Sequence, residues 1–130
     1  MADVNILAAT HIYLRRQRQM VRDDQSVTHS AARVIDLGSD HAAKIVSLMF
    51  RNNGSSAYTI TVAVSETNAG DISYIYEDYS LAANTTWWAI APYTTGPIFL
   101  EENDELRAHG STGAYTDVYT NCNYELLYEI

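Results

Sequence analysis

The sequence predicts an all-β protein, an antiparallel two-sheet sandwich of jelly-roll-like topology preceded by an N-terminal arm. Three observations carry this expectation. From Lys44 onward, apolar and polar residues alternate with a period of two, as half-buried strands require. Clusters of Gly, Asn, Pro and Ser interrupt the alternation at roughly ten-residue intervals, which marks out about seven or eight short strands. After about residue 25 no apolar stripe of helical period appears.

The first 30 residues read as a basic arm and residues 31–130 as the sandwich domain. In the arm, "HIYLRRQRQMVR" contains good helix formers, but Ile12, Tyr13, Leu14, Met20 and Val21 hold no single stripe. An extended arm, an outer strand and a short helix all fit. The arm that orders on a neighbour is favoured, and deleting residues 1–22 is expected to leave the sandwich folded. "ARVIDLGSDHAAKIV" then suggests a hairpin, with Val34 to Leu37 pairing to the strand after Gly38 to His41. "KIVSLMFRN" places Val46, Leu48 and Phe50 on one face and Ile45, Ser47, Met49 and Arg51 on the other. "NGSS" breaks it.

"AYTITVAVS" turns Tyr58, Ile60, Val62 and Val64 inward. The turn "NAGD" leads into the tyrosine-rich "ISYIYEDYS", then "LAANTTWWAIA", which "PYTTGP" closes. In "GPIFLEENDELRA", Ile98 to Leu100 and Leu106 to Ala108 are expected to form a hairpin with a solvated acidic tip. Asn103 there can adopt a left-handed conformation and Asp104 can bond nearby backbone groups. The last segment, "AYTDVYTNCNYELLYEI", points Val118, Thr120, Cys122, Tyr124 and Leu126 to one side, so Cys122 reads as a small core residue.

Composition limits what such a sandwich can do. The chain has 130 residues, enough to bury a core without disulfides or metals, and its one cysteine excludes an internal disulfide. The formal charge of −8 argues against nucleic acid as a partner. No stretch approaches the roughly 20 apolar residues of a membrane span, and no secretory signal pattern opens the chain, so a soluble product of the cytoplasm is expected. Charge is unevenly distributed. Residues 1–22 carry four arginines against Asp3, whereas residues 23–130 carry 4 basic and 15 acidic groups. Ten tyrosines and two tryptophans against two phenylalanines make the aromatic set amphipathic, a composition suited to contact surfaces.

Catalytic and metal-binding constellations do not emerge. Glu101, Glu102, Asp104 and Glu105 crowd together, but "EENDELRAHGST" lacks the ligand register and sixth-position glycine of an EF-hand. His11, His29, His41 and His109 fall singly, without metal spacing, and read as surface or loop residues. No serine sits in a nucleophile turn, and no glycine-rich phosphate loop is present. No enzyme activity, cofactor or metal is therefore expected.

The residues that remain are candidates for contact. Arg15, Arg16 and Arg18, with Arg22 nearby, suit docking onto an acidic neighbour. Trp87 and Trp88 must face opposite ways on a strand, and since Ile90 shares the parity of Trp88, Trp87 is expected to be the exposed ring. With Tyr74, Tyr76 and Tyr79 it offers a platform for a protein partner or a sugar.

The ordered succession "KIVSLMFRNNGSSAYTITVAVSE", "SLAANTTWW", "GPIFLEENDELRAHGST" and "YELLYEI" resembles small virion structural proteins of tailed bacteriophages, over roughly residues 40–130. In that group a strand of the form "IVSLYVxN" precedes a small-residue turn, "PIYLEEGDSLRA" follows, and the chain ends in "SYEEI". Asn103 stands where the group has glycine, which preserves the left-handed option. The resemblance implies a non-enzymatic β-sandwich of the phage particle: a capsid cement or decoration protein, a head fibre subunit or a neck or tail component. It further implies major capsid protein or other virion proteins as partners, homo-oligomeric assembly, and a place in the virion after synthesis in the host cytoplasm. A host glycan bound by a carbohydrate-binding sandwich is the alternative.

Overall fold

Residues 11–39, 41–66, 70–92 and 98–128 are described by the computed structural model. Within them the alternating segments form β1 (His11–Met20), β2 (Arg33–Asp36), β3 (His41–Asn52), β4 (Tyr58–Glu66), β5 (Asp71–Leu81), β6 (Thr85–Ile90), β7 (Ile98–Leu100), β8 (Glu105–Gly110) and β9 (Val118–Tyr128). One 3₁₀ turn (Ser30–Ala32) precedes β2, and a single helical turn, α1 (Ala114–Asp117), precedes β9. Residues 1–10 of the expected arm, half of the "NAGD" turn and most of "PYTTGP" lie outside the described residues.

Two antiparallel sheets face each other. The first has the order β1-β9-β3-β6, with β7 pairing to β3 beyond the end of β6; the second has the order β2-β8-β4-β5. Among the described residues the chain changes sheet at every connection except β4 to β5 and β6 to β7. With β6 and β7 taken as one interrupted strand, this is the jelly roll that the strand count suggests. Inward side chains of both sheets meet in one core built from Ile45, Leu48, Phe50, Ile60, Val62, Leu100, Leu106, Val118 and Cys122, all at most 1% exposed. Each large side chain buried there stabilises the fold by roughly 1.5–3 kcal/mol.

Three expectations are corrected. Strand β1 is an integral outer strand of the first sheet, hydrogen-bonded to β9 along its full length, where an arm ordering on a neighbour was favoured. Past it, Val21 and Val27 are buried, and the Val21 N–H donates to the Val118 carbonyl. Deleting residues 1–22 thus removes an edge strand and a core side chain, and is not a clean excision. The leader lacks an apolar stripe because β1 is an edge, with Ile12 and Leu14 left in solvent.

Neither expected hairpin exists. Strand β2 pairs with β8 while β3 lies in the other sheet, and β7 pairs with β3 while β8 pairs with β2 and β4. Both connections are corners that cross between sheets, and they are stitched together. The Asn103 N–H donates to the Gly38 carbonyl at 2.7 Å, with Asn103 at φ 65° as its left-handed role requires. The acidic tip is solvated only in part: Glu101 is exposed, but two of its carboxylates are covered. Glu102 is 2% and Asp104 8% exposed, and the Asp104 carboxylate accepts the Glu101 N–H at 2.8 Å.

The third correction concerns β3, where a bulge between Ile45 and Ser47 in its pairing with β9 breaks the alternation. Ile45 therefore joins Leu48 and Phe50 in the core, and Val46 moves to the outer side. Inward placement of Tyr58, Ile60, Val62 and Val64 holds, as does burial of Cys122.

Polar clasps lock the ends of the sandwich. Buried Asn52 donates from Nδ2 to the carbonyls of Ser56, Leu81 and Ala82 and accepts the Gly54 N–H, tying the β3–β4 corner to the end of β5. Arg107 lies 2.9 Å from Glu105, both largely covered, and donates to the Val27 carbonyl, fastening the segment after β1 onto β8. Gly110 packs so closely on Ala114 and Val21 that a Cβ would meet the Ala114 Cβ at 2.5 Å. Close approach, more than flexibility, explains that glycine.

Candidate functional site

A jelly roll leaves two open sides where its sheets end, and the contact candidates gather there. One side ends in β1. Successive residues of this strand face opposite ways, so Leu14, Arg16 and Arg18 share the outer face of the first sheet while Tyr13 and Arg15 turn to the other face. The Arg15 guanidinium lies 5.5 Å from the Tyr13 ring centre and that of Arg18 4.5 Å from Tyr119. Among the described residues no carboxylate forms an ion pair with Arg15, Arg16 or Arg18. Arg22 behaves differently. Its guanidinium grips Asp24 through two hydrogen bonds, which raises the arginine pKa and lowers that of the carboxyl. The structure therefore brings three of the four arginines together on one strand and ties the fourth to an internal partner.

The other open side is aromatic and acidic. Trp87 is not the exposed ring: it lies between Phe50, at 5.4 Å, and Tyr79, stacked at 3.6 Å, with Tyr76 edge-on at 4.9 Å. Trp88 faces outward at 47% exposure. The parity argument fails because β6 is bulged against β3: Leu48 pairs with Ile90 and Met49 with Trp88, so Ile90 and Ala89 both pack toward the core. Tyr76 donates from its hydroxyl to the Ala89 carbonyl at 3.2 Å, spanning the gap between the two sheets. Tyr74, Tyr76 and Tyr79 remain at least one-third exposed.

Sequence reasoning missed the charges on that side. Strand β5 carries Asp71, Glu77 and Asp78 and no basic residue, and all three are exposed. The signal lay in "YEDY", acidic residues between tyrosines on an edge strand, but the topology was needed to show that β5 is an edge. Two register shifts bulge β5, and Asp78 sits at φ 49°. Bulges and charge are how sheet edges avoid indiscriminate pairing.

Between these sides, the outer face of the first sheet holds a groove of about 680 Å³ whose walls include Leu14, Arg16, Val46, Trp88, Asn123 and Glu125. Asn123 donates to the Ser47 hydroxyl on its floor. Among the described residues no group of three His, Cys, Asp or Glu side chains could hold a metal ion. Burial pushes the Cys122 thiol up to about 12, which makes it inert as a nucleophile at neutral pH. His29 accepts the Ala31 N–H, a capping role.

Comparison with protein families gave no match, and neither did comparison with curated proteins. A solved structure does share the fold. A chain from the acid-stable capsid structure of Helicobacter pylori bacteriophage KHP30 is similar over 97% of this chain and 91% of its own length, with a TM-score of 0.51 and 12% identity. A chain of the IBDV viral particle is similar over 93% of this chain but only 32% of its own, with a TM-score of 0.44 and 11% identity. At such identities the first of these likenesses shows the fold, and the second adds nothing to it.

Proposed function

We propose that this chain is a virion structural protein, a capsid cement or decoration protein that stabilises a phage particle by contact with neighbouring subunits, without catalysis. The observation that carries the proposal is the likeness, over nearly the whole of both chains, to a chain of a phage capsid structure. Two features support it. The sequence motifs resemble those of phage virion proteins independently of that fold likeness, and the edge strands β1 and β5 present exposed charged and aromatic side chains on the open sides of the sandwich, a make-up suited to subunit contacts. Its partners are then the major capsid protein or other virion proteins, and the capsid surface is preferred to a neck, tail or fibre position.

Mass spectrometry of gradient-purified particles tests this. The protein should appear in fixed ratio to the capsid subunit, and particles lacking it should release their genome at a lower temperature. Its absence from purified particles would overturn the proposal.

Trp88 favours a second reading, in which the exposed ring and the groove beside it, with Arg16, Asn123 and Glu125 among its walls, bind a host glycan. Tryptophan fluorescence should then shift with host-surface oligosaccharides in the native protein and not in Trp88→Phe. No response across a broad panel would eliminate it.

A further inference from the structure

The two open sides of the sandwich end in strands of opposite charge. Strand β1 bears Arg15, Arg16 and Arg18 with no acidic residue, and β5 bears Asp71, Glu77 and Asp78 with no basic one. They are the terminal strands of different sheets, at opposite ends of the strand orders. Beside each charge row stand exposed apolar groups: Ile12 and Leu14 at 60% and 79% exposure near the arginines, and Tyr74 and Tyr79 at 49% and 38% on the strand that carries the carboxylates. Charge rows rimming apolar anchors are the make-up of a protein contact.

We infer that copies of this chain associate head to tail, the β1 side of one copy docking on the β5 side of the next. Charge selects this arrangement. A symmetric contact through β1 opposes arginines to arginines, and one through β5 opposes carboxylates to carboxylates; both are repulsive. Only the heterologous contact pairs opposite signs. The bulges in β5 spoil its edge as a template for strand addition, so the contact is made by side chains and not by a continuous sheet. Head-to-tail contacts close into a ring when the rotation between copies permits, as a capsid component at a symmetry axis needs.

Such a contact rests on the virion role proposed above for its purpose, yet it is measured on the purified protein alone. Sedimentation at low and physiological salt should show self-association that weakens as salt screens the charges. Arg15→Glu/Arg16→Glu/Arg18→Glu, and separately Asp71→Lys/Glu77→Lys, should each weaken association on the order of a hundredfold. Asp78 is kept because its positive φ and its bond to Thr61 serve the fold. Mixing the two variants restores attraction at both sides of both copies, so association should return. Circular dichroism should show both variants folded.

A monomer under all these conditions, or an oligomer indifferent to both reversals, would overturn the contact. A mixture that stays dissociated would equally count against head-to-tail pairing. If the protein associates as described but is missing from particles, the virion role fails alone. If it is present in particles but monomeric in solution, the self-contact fails alone.

Discussion

At the corner where β7 passes into β8, ionic groups are covered and matched, whereas along β1 and β5 they are exposed without an opposite charge. Arg107 and Glu105 lie 2.9 Å apart with side chains only 9% and 13% exposed, and Asp104 accepts a backbone N–H. Arg15, Arg16, Arg18 and Glu77 have no ion-pair partner among the described residues. The same side-chain chemistry therefore does two kinds of work. In the corner it holds the fold, and on the edges it contributes little to folding and is left for the contacts proposed above.

Breaking the corner should have the largest consequence. Arg107→Ala strands Glu105 and removes the donor to Val27, and should lower the urea-unfolding free energy by about 3–5 kcal/mol. A loss below about 1 kcal/mol would erase the contrast. Next comes Asn52, whose bonds to Leu81 and Ala82 are the clasp at the β3–β4 corner. Asn52→Ala should cost about 1–3 kcal/mol in the same assay, through the carbonyls it leaves unpaired. At Asn103 the backbone alone is tested: Asn103→Gly should be close to neutral, while Asn103→Val should cost about 1–2 kcal/mol at its φ of 65°.

The pH dependence lies on the alkaline side. The thiol of Cys122 is raised from 9.0 to about 12 by burial, and the Tyr58 hydroxyl is raised above 10.0 by its hydrogen bond to the Asp117 carboxylate. Both bind their protons more tightly in the folded chain. Their stabilisation is thus whole below their ordinary values and is lost as pH rises through the folded ones. Thermal midpoints should fall above about pH 9, and Tyr58→Phe should flatten part of that decline. Cys122 should resist thiol reagents at neutral pH until the protein unfolds. Smallest of all, Arg16→Ala or Glu77→Ala should move stability by no more than about 0.5 kcal/mol. A larger change would mean that the edges belong to the fold after all.

Much of the architecture was legible because period-two alternation reports which face of a strand is buried: Tyr58, Ile60, Val62, Val64 and Cys122 stand where that rule puts them. Alternation does not report which strand is the partner. Ile98 to Leu100 and Leu106 to Ala108 both turn inward to one core from opposite sheets, so a sheet-crossing corner and a hairpin leave the same pattern in sequence. Bulges defeated the parity rule twice, at Val46 and at Ala89, and the second reversed the assignment of Trp87 and Trp88. At the candidate site the arginine cluster was visible as composition. Its acidic counterpart on β5 was not, because only the topology shows Asp71 and Glu77 to lie at a sheet edge.

Hydrogen–deuterium exchange, comparing free monomeric protein with protein in purified particles, tests most directly the claim that the edges make the contacts. Protection should rise over His11–Met20 and Asp71–Leu81 and stay unchanged at the Glu101–Asp104 corner. Unchanged exchange along both edge strands, with new protection elsewhere, would contradict it.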